Sequence, residues 1–144
     1  MCHTIKTTTL ALLLLVLGVH ARAAESEPNV ITLFCDGMLT ATHGANKPEA
    51  PQPLQKTSLV VNLDEQIVFF LGYVVPIERV SEGSIKFGGT QTVDYGFRVA
   101  IRANIDRATG RMDATLVMSD PTQQPGDVNT AAIRYDVVCK PSIN

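Results

Sequence analysis

The side chains of this 144-residue chain that could do chemistry are few, and they do not cluster. Past an apolar leader at residues 1–23, His43 is the sole histidine. As a general base it would need a carboxylate to orient it and a nucleophile or substrate within reach. It stands beside Gly44 with no such neighbour in sequence, and reads as a solvated loop histidine. A zinc centre needs three or four ligands, and the nitrogen and sulfur donors for one are missing. Asp64, Glu65, Asp94, Asp106 and Asp113 are the carboxylates that paired glycosidase chemistry could draw on. The first two fall in a turn and the others at outward strand positions or strand ends, and the chain has no tryptophan to platform a sugar. They read as solvated surface groups. The glycines form no phosphate loop or dinucleotide fingerprint, and no calcium-loop spacing occurs. The expectation is a protein that is not an enzyme and that carries no cofactor and no metal.

Three arginines are better placed for contact than for catalysis. Arg98 and Arg102 share the outer face of one strand pattern, and Arg134 points outward on the last. Were those strands neighbours, they would offer a small positive patch to an acidic ligand. Cross-strand pairing with Asp94, Asp113 or Asp136 is the plainer expectation. Arg98, Arg102, Arg134 and His43 are therefore the candidate surface contacts, while Tyr73, Tyr95 and Tyr135 read as core or rim aromatics.

The leader has a short polar start with Lys6, ten apolar residues from Leu10 to Val19, and Ala21-Arg22-Ala23 at its end. That is the pattern of a secretory signal cleaved after Ala23. The apolar run is about half the roughly 20 residues a membrane span needs. Cleavage would remove Cys2 and leave Cys35 and Cys139, which in an oxidising compartment read as one disulfide. Losing Lys6 and Arg22 as well leaves ten basic against fourteen acidic residues, a formal charge of −4. No basic block is present, so neither nucleic acid nor an anionic membrane surface is an expected partner. The oligomeric state is open.

The elements that must position these residues are strands. Alternation puts Ile31, Leu33, Cys35, Gly37 and Leu39 on one face, and Leu59, Val61 and Leu63 on another strand. Ile67 to Leu71 is apolar on both faces, so its outer side is expected to be covered. Tyr73 to Val80 contains Pro76, which suggests a sheet edge or bulge. Ser84 to Phe87 follows, and Gly88-Gly89 is expected to break the ladder. The longest alternation runs from Val93 through Tyr95, Phe97, Val99, Ile101 and Ala103 to Ile105, with Gly96 the place for a bend. After a turn at Asp106–Gly110 the chain returns through Met112 to Met118, and the last strand covers Ala132 to Cys139. Residues 41–56, with Pro48, Pro51 and Pro53, and residues 119–130, with Pro121 and Pro125, read as loops. The sum is one all-β domain over residues 24–144, with seven or eight antiparallel strands in a small barrel or sandwich, its first and last strands joined by Cys35 and Cys139.

The set Cys35-Asp36-Gly37, Ile105-Asp106-Arg107-Ala108-Thr109-Gly110 and Tyr135-Asp136-Val137-Val138-Cys139-Lys140 resembles a group of small exported bacterial proteins of no assigned activity. The resemblance spans most of the domain, implies a periplasmic or secreted β domain, and brings no catalytic residue with it. More loosely, the chain looks like the periplasmic inhibitors of C-type lysozyme, which carry a Ser-Gly-x-x-Tyr loop. Here the nearest stretch, Ser81-Glu82-Gly83-Ser84-Ile85-Lys86-Phe87, has an inserted glutamate and lacks the tyrosine. The expected function is binding an unknown envelope protein or small ligand, with loops 41–56 and 119–130 as the contact regions; the alternatives are a carrier that holds an apolar small molecule inside the barrel, or a lysozyme-inhibitor-like protein.

Overall fold

A computed structural model describes residues 29–120, 122 and 130–142. The leader, the tail at 24–28 and most of the 119–130 connection lie outside the described residues. Eight strands follow in chain order: β1 (Val30–His43), β2 (Gln52–Asn62), β3 (Ile67–Phe70), β4 (Tyr73–Val80), β5 (Ser84–Thr92), β6 (Arg98–Asp106), β7 (Arg111–Ser119) and β8 (Ala131–Pro141). Each pairs antiparallel with the next, and β8 pairs back onto β1, closing an up-and-down barrel. Closure removes the unpaired edges that an open sheet would present. The seam runs from Leu33 opposite Pro141 to His43 opposite Ala131, and Cys35 faces Cys139 within it. Those two cysteines form a disulfide across 104 residues of sequence.

Inward positions are apolar, as the alternation requires. Leu59, Val61, Val68, Phe70, Val75, Phe87, Val99, Ile101, Met112, Val137 and both cysteines are buried in one cluster. Phe70 meets Phe87 edge-on at 6.2 Å and Tyr135 at 5.7 Å, so rings from β3, β5 and β8 meet inside the barrel. Eight strands enclose a space just wide enough for side chains to fill.

Several elements differ from the reading of the sequence. The 41–56 loop shrinks to residues 44–51, because β1 continues to His43 and β2 starts at Gln52, with Pro53 opposite Met38. A proline is tolerated at the start of a strand, and a register shift between Cys35 and Gly37 follows just beyond it. Gly88-Gly89 does not end β5. A Cβ at Gly88 would stand 2.6 Å from the Ile101 carbonyl oxygen, so the residue serves close approach of β5 to β6. Pro76 does lie beside a bulge, where β4 gains one residue on β5 between Ile77 and Arg79. The outer side of β3 is not covered: Val68 and Phe70 face inward, and the outward Phe69 is 44% exposed, in a row with Val60 and the equally exposed Val74.

The largest difference concerns the long alternation. Val93–Phe97 is not strand but the tip of the β5–β6 hairpin, with a short 3-10 turn at Asp94–Gly96. Val93 N–H donates to the Phe97 carbonyl at 2.8 Å and Gly96 N–H to the Val93 carbonyl at 3.1 Å. Tyr95 and Gly96 both take positive φ, 64° and 81°.

Candidate functional site

Register places the outward candidates. Arg102 on β6 and Arg134 on β8 both oppose Thr115 of β7, and Thr40 and Gly88 complete the row. Arg98 lies four residues from Arg102 on the same face, about 13 Å along the strand, opposite Thr92 and Ser119. The barrel thus brings the three arginines onto one exterior face. The low row Thr42, Ala132, Val117, Ala100 and Thr90 runs between Arg98 and Arg102.

The expected cross-strand ion pairs form only in part. Arg134 Nη2 is 4.0 Å from Asp113 Oδ1, with both side chains more than half exposed, which stabilises little. Asp136 is held instead by Arg111 at 3.0 Å. Among the described residues, Arg98 and Arg102 have no carboxylate within 4.0 Å.

Beside Arg102 lies an open groove of about 530 Å³ bordered by Glu78, Lys86, Asn104 and Asp113. Asn104 Oδ1 is buried there without a hydrogen-bond partner. A ligand N–H or O–H, or water, would satisfy it. Neither Lys86 nor Asn104 was singled out in the sequence, since only strand register brings them beside Arg102.

His43 is not a loop residue. It ends β1 opposite Ala131, and its Nε2 is 3.3 Å from Glu49 Oε1. Glu49 is brought there by its backbone N–H donating to the Ala41 carbonyl at 2.8 Å. The orienting carboxylate therefore exists, six residues away, but both groups are about half exposed. Among the described residues no group hydrogen-bonds the other ring nitrogen of His43.

At the opposite end of the barrel, Ile31, Leu33, Ile85 and Ile105 line an apolar depression of about 350 Å³ beside the Asp106–Gly110 turn. Asp106 Oδ1 accepts from Ala108 N–H and Thr109 N–H, each at 2.9 Å, and the bonds from Thr109 hold its carboxyl below the ordinary carboxylate range. Those bonds make Asp106 a turn-former. Among the tyrosines, Tyr135 is core and Tyr73 packs against it, but Tyr95 is 98% exposed at the hairpin tip. No group of three or more potential metal ligands exists among the described residues. Comparisons with protein-family models, curated proteins and solved structures found no match.

Proposed function

We propose that this protein is an exported, non-enzymatic binding or interaction domain of the bacterial envelope, working in the periplasm or outside the cell. One observation carries the reading. The barrel interior is occupied by apolar side chains, with Phe70, Phe87 and Tyr135 meeting inside it, so recognition falls to the exterior and the loops. Support for export comes from the leader pattern and from a disulfide tying the first strand to the last, since such bridges persist in oxidising compartments. Among the described residues no helix is long and apolar enough to cross a membrane. The outward positions of β6–β8 carry Arg98, Arg102, Asp113, Arg134 and Asp136, whereas lipid-facing strands of a membrane barrel carry apolar side chains.

The test is retention of an envelope protein by wild type and its loss when Arg98, Arg102 and Arg134 are all changed to Glu. Failure to retain any partner under several growth conditions would overturn the reading. The carrier alternative draws on the apolar depression beside Ile105; native mass spectrometry finding a co-purifying lipid or metabolite would favour it. Inhibition of a C-type lysozyme at stoichiometric protein would single out that enzyme class as the partner.

A further inference from the structure

Tyr95 is accounted for neither by its backbone nor by its packing. The left-handed conformation at φ 64° suits Gly, Asn or Asp, and an L-residue with a bulky ring is strained there. Its ring is 98% exposed and buries nothing against the described residues. Strained residues of this kind concentrate at sites of contact. The tip that presents the ring is already ordered by the Val93–Phe97 and Gly96–Val93 hydrogen bonds, so little freedom remains to be lost on docking. Phe97, at the edge of exposure, follows on the same hairpin, as do Arg98 and Arg102, which have no carboxylate within 4.0 Å among the described residues.

Building on the binding reading above, we propose that the β5–β6 tip is the docking element of the domain. Tyr95 enters an apolar pocket of a partner protein, Arg98 meets an acidic side chain at that pocket's rim, and Arg102, about 13 Å farther along β6, meets one beyond the rim. Tyrosine and arginine are the residue types that dominate protein–protein contacts. A lone convex ring suits a concave protein surface better than a sugar chain, which lies in a groove. A membrane surface is the poorer fit, because Asp94 would be carried into it beside the ring.

The test places photoreactive benzoylphenylalanine at position 95 of the full chain in the envelope, with Glu65 at the other barrel end as the control position. The captured protein is then purified and its affinity measured directly. The proposal expects a protein adduct at position 95 and none at position 65. It also expects at least a tenfold loss of affinity for Tyr95→Ala and for Arg98→Glu with Arg102→Glu, and a smaller loss for Tyr95→Phe. Tyr95→Ala should melt no lower than wild type, which separates contact from folding. An adduct at 65 but not at 95 would overturn this proposal and leave the binding reading standing. No adduct at either position, together with no partner retained by the wild-type chain, would remove both. Cross-linking to lipid, glycan or a second copy of this chain would also overturn it, as would unchanged affinity for Tyr95→Ala.

Discussion

Asp106 holds its turn with bonds to Thr109 and Ala108, and that places a pH dependence on the fold. A carboxyl depressed below its ordinary 3.8 stabilises the folded chain above that value, and the contribution is lost as pH falls through the depressed one. Asp106→Ala should therefore melt below wild type at pH 7, with the gap narrowing in acid; a gap independent of pH would show that the charge is irrelevant. Tyr135 has the opposite sign. Burial first, and the neighbouring Tyr73 second, push its hydroxyl above the ordinary 10.0. The neutral phenol is favoured in the fold, so its contribution is complete below the ordinary value and fades as pH rises through the raised one. Tyr135→Phe should accordingly resist alkaline melting better than wild type. Phe70 touches both other rings, and Phe70→Ala should cost about 3–5 kcal/mol in denaturant unfolding. At this scale the sequence announced the inward residues well, since burial follows alternation. It could not announce that Arg102 has no carboxylate within reach among the described residues, because pairing depends on register with β5 and β7. Nor could it pair His43 with Glu49, which meet only because a loop closes on Ala41.

Among the elements, the β5–β6 hairpin departs from its alternation pattern for a definite reason. Val93, Tyr95 and Phe97 continue the two-residue period of β6, and nothing in that period distinguishes a strand from a tip whose apolar residues recur at the same spacing. Gly96 was the one local sign. Pro53 misled in the other direction, as a residue that excludes the middle of a sheet yet is admitted at the first positions of β2. Two turns yield opposite stability predictions. Tyr95→Asn should raise stability by about 0.5–1 kcal/mol, because asparagine tolerates the left-handed backbone that tyrosine occupies under strain. Gly110→Ala should lower it by at least about 2 kcal/mol. There the backbone has φ 72°, and the added Cβ would collide with the Cys139 carbonyl oxygen. Both are read from thermal or denaturant unfolding, and a destabilised Tyr95→Asn would mean that the ring supports the hairpin after all.

For the whole molecule, the cysteine positions made the pairing of first and last strands legible, while the choice between barrel and sandwich needed the register. Two thiols near the ends of an all-strand domain are easiest to join if the end strands are neighbours, and β1 and β8 are. The bridge closes a loop of 104 residues, for which chain entropy gives about 4.7 kcal/mol. Reduction, or the Cys35→Ala Cys139→Ala pair, should lower the melting temperature clearly; an unchanged melt would show that strand pairing alone holds the seam. That seam has a further consequence for the order of folding. A chain exported N-terminus first delivers β1 first and β8 last, so the emerging ribbon can zip hairpin by hairpin and still have two raw flanks until Ala131–Pro141 arrives. No shorter product can wrap round on itself, and a stop codon ahead of β8 would leave a sticky, unfinished sheet rather than a slightly smaller domain.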